Sequence, residues 1–436
     1  MEKLLIKNAV IYSSKGKRNA DIISVDGKIA NIGENLSESF DGLNIIDAKG
    51  LMVLPGIIDS QVHFREPGLE HKECIETGSK SAVLGGVTTF LEMPNTNPST
   101  TTDVRITEKV NIGKATSYAN FGFFMGATGE NLEELMKVDD LEGCCGIKIF
   151  LGSSTGSLLL YDQEKLMEIF RNTTSPIAVH SENEEMLVER LPIRDAATTA
   201  HAHPEWRSEE VAFSSTKMIV ELAEKAKRKI HVLHISSKKE IQYLKDHKEF
   251  ISVEVLPQHL TLSAPDCYDE LGTYAQMNPP IRSKEHQDAL WEGLLNGTVD
   301  VLGSDHAPHT KEEKDKGYPA SPSGMPGVQT IFPVMMNHVT EGKLTIERLL
   351  ELLCERPADM YKMNKGYIEV GRDADFTIVD PSAEVTLTDE MMATRSGWTP
   401  YRNKTLKGFP VYTVVGGNIV MDHGKIVSGP VGKPAL

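Results

Sequence analysis

The sequence lacks the features of a disulfide-bonded, membrane-spanning or nucleic-acid-binding protein. Its five cysteines form no C-x-x-C pair, so neither a disulfide framework nor a zinc knuckle is expected. No apolar run reaches the roughly 18 residues of a transmembrane helix. The formal net charge of −16 disfavours a nucleic-acid partner, because phosphate binding needs a basic surface. The apolar run within residues 1–14 is too short for a signal peptide, so we expect a cytoplasmic protein.

Both ends of the chain read as short strands separated by turns. Residues 1–52 contain several strand-like segments, and Asp26-Gly27 is a hairpin turn signal. Residues 363–436 show the same pattern. Because these two regions flank a long middle segment, we predict one small β-sandwich domain built from both termini. Two unrelated β extensions are the alternative.

The middle of the chain, residues 53–362, alternates buried strands with helical stretches. Alternating β and α segments predict a parallel sheet, and eight such units predict a closed (β/α)8 TIM barrel. An open doubly wound sheet is the alternative, but no G-x-G-x-x-G follows the first strand. The Gly/Ser-rich segment 151–157 after the fourth strand is predicted to be a mobile loop. The eight predicted strands are VLPGIIDSQVHF, GVTTFLEM, NFGFFMGA, GIKIFL, PIAVHS, KIHVLHIS, ISVEVL and VDVLGSDH.

Polar residues of metal-ligand type occur at the ends of these predicted strands. In a TIM barrel the C-terminal strand ends meet at one mouth, where catalytic groups lie. A mixture of imidazole and carboxylate groups suits zinc. The sequence therefore predicts a metal site at the barrel mouth. The residues concerned are Asp59, Gln61, His63, Arg65, Asn95, Lys148, His180, His234, Asp305, His306 and His309.

Arg65 and Lys148 each have two interpretations. Arg65 lies two residues after His63, so an extended strand would turn both side chains into the mouth. Its planar guanidinium suits a substrate carboxylate, whereas the alternative is a surface salt bridge. Lys148 interrupts the apolar segment GIKIFL. A buried ammonium beside divalent cations would be very costly, so carboxylation to a bridging carbamate is one interpretation. The other is that Lys148 points outward.

The remaining histidines are not expected at the site. His231 begins the sixth predicted strand, at the wrong end for catalysis, and His259 after the seventh strand is at most a supporting group. Solvent exposure is expected for His71, His201, His203, His247, His286, His338 and His423.

Together, seven motifs resemble those of the dihydroorotases of the amidohydrolase superfamily. The resemblance covers essentially the whole chain, including GYIEVGRDADFTIVD at 366–380 in the β domain. The motifs are DSQVHFREPG at 59–68, GGVTTFLEMPNTNP at 85–98, GIKIFL at 146–151, VHSE at 179–182, LHISS at 233–237, MNPPIR at 277–282 and SDHAPH at 304–309.

The resemblance implies a set of roles and a reaction. The reaction is the reversible interconversion of (S)-dihydroorotate and N-carbamoyl-L-aspartate in pyrimidine synthesis, with one or two Zn²⁺ ions per subunit. Asp305 would be both a ligand and the general base, Asn278 would contact the ring edge, and Lys148 would be N6-carboxylated. The implied metal ligands are His63, Lys148, His180, His234 and Asp305, and the residues that would hold the substrate carboxylate are Arg65, Asn95 and His309.

The sequence departs from the family pattern at two places. Gln61 stands where the family's first strand has the first histidine of His-x-His, and Gln258-His259 replaces a frequent histidine pair. The first departure leaves open whether one or two metals bind. Alternative functions are an allantoinase or hydantoinase, or a non-catalytic dihydroorotase-like scaffold for aspartate transcarbamoylase. A homodimer and an aspartate transcarbamoylase partner are the associations that the resemblance suggests.

Overall fold

The computed structural model describes residues 3–36, 43–153 and 158–436. Residues 154–157 of the predicted Gly/Ser-rich loop therefore lie outside the described residues. The N-terminal segment forms strands β1 (Lys3–Ser13), β2 (Gly16–Val25), β3 (Lys28–Gly33), β4 (Leu43–Asp47) and β5 (Met52–Pro55).

The next eight strands form a parallel barrel in sequential order. Most of their residues are buried on both faces, as expected for strands covered by helices outside and packed side chains inside. A parallel bridge between Val62 and His306 joins the first strand to the segment after the last. The barrel strands are β6 (Ile57–Val62), β7 (Val87–Glu92), β8 (Asn120–Gly126), β9 (Cys144–Phe150), β10 (Ile177–His180), β11 (Ile230–Val232), β12 (Ile251–Val255) and β13 (Val301–Leu302).

The C-terminal strands return to the N-terminal ones. β14 (Phe376–Thr386) pairs with β5 in an antiparallel register that sets Ile378 opposite Val53. β15 (Thr405–Val415), β16 (Asn418–Asp422) and β17 (Lys425–Ile426) extend the same nine-stranded sheet outward. The predicted fold class is thereby confirmed: a TIM barrel with a small β domain to which both termini contribute.

Helices cover the outside of the barrel and begin at recognisable caps. Thr102, Asp162 and Ser237 each accept a backbone N–H at the start of a helix, which satisfies one of the free donors there. Two of the helical stretches expected between the strands, at 206–228 and 284–296, contain α8 (Glu209–Ala226) and α12 (Lys284–Leu295). A π-helical segment, Glu351–Glu355, joins α15 (Ile346–Leu350) to α16 (Arg356–Met360). Short 3-10 turns lie at Val138–Asp140, Ala200–Ala202, Gly272–Ala275 and Asp389–Met391.

The helices are α1 (Ile75–Leu84), α2 (Asp103–Thr116), α3 (Leu132–Leu135), α4 (Gln163–Asn172), α5 (Glu184–Glu189), α6 (Leu191–Ala196), α7 (His203–Trp206), α8 (Glu209–Ala226), α9 (Lys238–Leu244), α10 (Pro257–Thr261), α11 (Asp266–Leu271), α12 (Lys284–Leu295), α13 (Lys311–Lys314), α14 (Ile331–Thr340), α15 (Ile346–Leu350) and α16 (Arg356–Met360). Across the described ranges, none of them has the length and apolar character needed to cross a membrane.

The connection between β14 and β15, residues 387–404, folds back over the barrel mouth. The Trp398 indole N–H donates to the backbone carbonyl of His309 over 2.8 Å, and Trp398 is almost fully buried. The Thr394 hydroxyl donates to the buried Glu73 carboxylate, which also bonds His306. The β domain thus helps to fix the segment that follows β13.

Candidate metal and substrate site

A narrow cavity at the C-terminal mouth of the barrel gathers the five predicted metal ligands. These side chains come from five barrel strands or the residues directly after them, so the closed parallel sheet brings them together. The inward orientation of Lys148 excludes the alternative in which its side chain points outward. The cavity is lined by Gln61, His63, Lys148, Phe150, His180, His234, Asn278, Asp305, Ala307, Ser323 and Gly324.

One half of the site joins β6 to the segment after β13. Nε2 of His63 lies 3.0 Å from Oδ1 of Asp305, and Gln61 donates its amide N–H to the same oxygen over 3.1 Å. Nδ1 of His63 lies 2.7 Å from Oδ1 of Asn95, an acceptor, so Nδ1 carries a hydrogen and Nε2 is the nitrogen that faces Asp305. Burial alone would raise the pKa of Asp305, but the hydrogen bond and charge of His63 lower it.

The other half joins β10 to the residues after β11. Nδ1 of His180 and Nε2 of His234 face each other across 3.1 Å. Nε2 of His180 lies 2.9 Å from the Glu182 carboxylate, which leaves Nδ1 free to act as a ligand. Burial favours the neutral form of Glu182, but its ion pair with Arg207 and its bond to His180 hold its pKa at about 2. Glu182 and Arg207 therefore fix the ring orientation of His180.

Lys148 contributes a buried nitrogen to the same cavity. Its side chain is 1% exposed, and Nζ has no hydrogen-bond partner among the described residues. Burial lowers the pKa of Lys148 to about 7, although the charges of Asp305 and Glu254 oppose that change. Its own charge acts on both halves of the site, lowering the pKa of Asp305 and of His180.

The unsatisfied atoms of the cavity fit a cation. The buried Oε1 of Gln61 has no hydrogen-bond partner within the described ranges, and Nδ1 of His180 and Nε2 of His234 face each other with no other partner there. Buried polar atoms without partners are costly and need an explanation. Over residues 3–36, 43–153 and 158–436, no three His, Cys, Asp or Glu groups are already gathered into one coordination set. The His and Asp groups instead form the two pairs described above, one on each side of the cavity.

Three site residues adopt a backbone conformation that is uncommon for residues other than glycine. Arg65, His234 and Asp305 have φ angles of 66°, 38° and 42°. Non-glycine residues in this left-handed region carry a conformational cost, and such residues concentrate at functional sites. The strand β6 ends at Val62, so the prediction that strand alternation turns Arg65 into the mouth is wrong.

Arg65 nevertheless lies beside the cavity, next to His309. Its Nη2 is 3.4 Å from Nε2 of His309, and its buried Nε has no hydrogen-bond partner in the described part of the chain. Burial lowers the pKa of Arg65 to about 10, so the guanidinium stays charged at neutral pH. Nζ of Lys72, a residue that the sequence analysis missed, lies 3.2 Å from Nδ1 of His309. Asn95 contacts the metal-ligand pair through its 2.7 Å bond to His63.

The structure assigns several other residues to supporting positions. His306 faces away from the cavity: its Nδ1 accepts the Gly327 N–H, and its Nε2 faces Glu73. Nε2 of His259 contacts the Pro279 carbonyl, and the Gln258 amide donates to the Ser304 carbonyl. None of the three lines the cavity.

His203 contradicts its expected exposure. It is fully buried, and Nε2 lies 3.0 Å from Oδ1 of Asn278, which lines the cavity. The sequence contains no periodic signal for this burial, because His203 begins the four-residue helix α7 in a long connection. Glu182 could have been found, since it follows His180 by two residues in VHSE.

The sequence of this chain is similar to those of known proteins. Residues 52–420 match the profile of the amidohydrolase family. A dihydroorotase of Methanosarcina acetivorans is 34% identical over 99% of this chain and 94% of its own length. A dihydroorotase of Brevibacillus brevis is 35% identical over 96% of this chain and 99% of its own length.

A solved structure has the same fold throughout. The L-hydantoinase (dihydropyrimidinase) of Arthrobacter aurescens superposes with a TM-score of 0.94 at 30% identity, covering 99% of both chains. The profile match and the full-length identity to the curated relatives lead to one assignment. This chain belongs to the amidohydrolase family, and within it to the dihydroorotases.

Proposed function

We propose that this enzyme is a zinc-dependent dihydroorotase that interconverts (S)-dihydroorotate and N-carbamoyl-L-aspartate. One observation carries the proposal: a cavity of imidazole, lysine and carboxylate groups lies beside the buried cation Arg65. A cyclic amide that also carries a carboxylate matches both features. The names of the full-length relatives support the same activity.

The two pairs of ligands would hold one or two Zn²⁺ ions. His63 and Asp305 would hold the first, His180 and His234 the second, and an N6-carboxylated Lys148 would bridge them. The orphaned Nζ of Lys148 supports this assignment, because a carbamate replaces a costly buried ammonium with an anionic ligand. When bound, zinc polarises a carbonyl and lowers the pKa of a coordinated water.

The protein side chains then orient the substrate and move its proton. Arg65, Asn95 and His309 would bind the substrate carboxylate, and Asn278 would contact the ring edge. Asp305 would accept a proton from the water that attacks the ring carbonyl and deliver it to the departing ring nitrogen. In the cyclisation direction the same carboxylate removes that proton from the carbamoyl nitrogen.

A turnover assay combined with metal analysis tests the proposal. The purified protein should contain zinc and hydrolyse dihydroorotate faster than hydantoin, allantoin or dihydrouracil. The hydantoinase alternative, which the similarity to the solved L-hydantoinase raises, would instead favour hydantoin or dihydrouracil. A folded protein without bound metal and without turnover would support the scaffold alternative and contradict the proposal.

Four further expectations stay predictions. They are the homodimer, the association with an aspartate transcarbamoylase, the cytoplasmic location and the domain limits 1–52, 53–362 and 363–436. Measuring the molecular mass in solution, with and without an added aspartate transcarbamoylase, checks the homodimer and the association.

A further inference from the structure

The buried His203 determines which end of the Asn278 side chain faces the cavity. Nε2 of His203 lies 2.9 Å from the Met277 backbone carbonyl and 3.0 Å from Oδ1 of Asn278. A carbonyl oxygen only accepts hydrogen bonds, so Nε2 must carry a hydrogen. The backbone of Met277 therefore fixes the tautomer of His203.

The tautomer in turn fixes the amide of Asn278. An amide NH2 facing the Nε2–H of His203 would set two donors against each other, so the oxygen must face the ring. That bond is the one hydrogen bond that the Asn278 side chain makes within the described residues. The amide NH2 is then left to face the cavity that Asn278 lines.

The surroundings of His203 hold this arrangement in place. The ring packs edge-on against Trp206 and Tyr318, with centroid distances of 5.7 and 6.0 Å. Burial, assisted by the charge of Arg207, lowers the pKa of His203 to about 3, so the imidazole is neutral at working pH. A neutral ring with Nε2 hydrogenated keeps Asn278 in one orientation.

We infer that His203 is a positioning residue that makes Asn278 a hydrogen-bond donor to a ring carbonyl oxygen of the substrate. The ring of dihydroorotate has two carbonyls, one hydrolysed and one in the ureido unit. Since the hydrolysed carbonyl belongs at the metal ligands, the ureido carbonyl oxygen is the acceptor for Asn278. This inference rests on the proposed function, which supplies the substrate class.

The test compares dihydroorotate with its analogue in which sulfur replaces the ureido oxygen. Sulfur is a weaker acceptor, so the wild-type enzyme should prefer the oxygen substrate in kcat/KM. In His203→Phe this preference should fall by roughly three- to ten-fold, the equivalent of one neutral hydrogen bond. A purely structural role would lower turnover of both substrates and leave the ratio unchanged.

Matched variants complete the comparison. His203→Gln, which can still donate, should retain most of the preference. His201, two residues earlier, is partly exposed and paired with Asp269, so His201→Phe should retain all of it. His203→Met replaces His203→Phe if the latter does not fold. Asn278→Asp has no donor and must lose the preference.

The outcomes separate the two proposals. No turnover of dihydroorotate by the metal-loaded wild-type enzyme defeats the proposed function. An active wild-type enzyme whose oxygen preference survives in Asn278→Asp, or in His203→Phe or His203→Met, overturns the role of His203 and leaves the proposed function intact.

Discussion

Gln61 and His63 share one carboxylate oxygen, Oδ1 of Asp305, at 3.1 and 3.0 Å. Gln61 uses its amide N–H for this contact and leaves its Oε1 without a hydrogen-bond partner among the described residues. A neutral amide oxygen is a poorer zinc ligand than imidazole. The position where the family has histidine therefore holds a side chain that bonds Asp305 and would be a weak zinc ligand.

Gln61→His should raise the zinc affinity of the first site and preserve activity, because three protein ligands already suffice for a catalytic zinc. Zinc content measured over a series of chelator concentrations should show that Gln61→His keeps the ion of the first site at higher chelator concentrations than the wild-type protein does. Gln163→His, which adds a histidine on the exposed start of α4, serves as the control. If the wild-type protein already holds two ions of equal affinity, this explanation of Gln61 is wrong.

Lys148→Ala should lose bound metal and activity together, because it removes the bridging carbamate that we propose. A small carboxylic acid such as propionate can enter the space and supply two oxygens, so it should partly restore both. Lys148→Met fills the same space without a ligand and should not respond to propionate. Metal content and turnover, measured against propionate concentration, check this. Full metal content in Lys148→Ala without the acid would argue against a bridging role.

Arg65→Ala should lower kcat/KM for dihydroorotate by at least about ten-fold, since a charge-assisted hydrogen bond contributes roughly 1.5–3 kcal/mol. The loss on dihydrouracil, which lacks the carboxylate, should be much smaller. Parallel kinetics on the two substrates provide the measurement. Equal losses would show that Arg65 does not recognise the carboxylate.

Lys109→Met should destabilise the fold by about 3–5 kcal/mol, because it leaves a buried carboxylate without its partner. Lys109 and Glu92 form an ion pair in which both side chains are at most 1% exposed. Adding Glu92→Met should recover most of the loss, since an apolar pair of similar size avoids burying charge. Urea unfolding measures the free energies.

The matched control for that experiment is Lys114→Met, which removes a lysine of the same helix, α2, from its exposed pair with Glu142. Exposed ion pairs contribute about 0–1 kcal/mol, so this variant should unfold near the wild-type midpoint. If Lys109→Met and Lys114→Met lowered the free energy of unfolding by similar amounts, the buried pair would contribute no more to stability than a surface pair.

The barrel and most of the site residues could be predicted from the sequence, for a physical reason. Parallel strands of a closed barrel place their C-terminal ends at one mouth, so ligand-type residues such as His180 and Asp305 converge whatever the exact strand limits. For Lys148 the sequence left an inward and an outward orientation open, and the structure has the inward one.

The remaining features depend on three-dimensional contacts that no local pattern encodes. Arg65 and His234 lie beyond their strands in left-handed backbone conformations, where strand alternation no longer applies. His203 is buried by long connections that pack together, with Asn278 and Tyr318 as its neighbours. Such packing is set by residues far apart in the chain.

The pairing of β14 with β5 has a consequence for the order of biosynthesis. As the ribosome releases the chain, β5 can pair on one side with β1, but its other partner emerges only after the entire barrel has been made. Until then β5 presents an unpaired edge, which is a template for contact with other chains. A nascent chain that stops before Phe376 would keep that edge open, so incomplete translation products of this protein should be prone to aggregation.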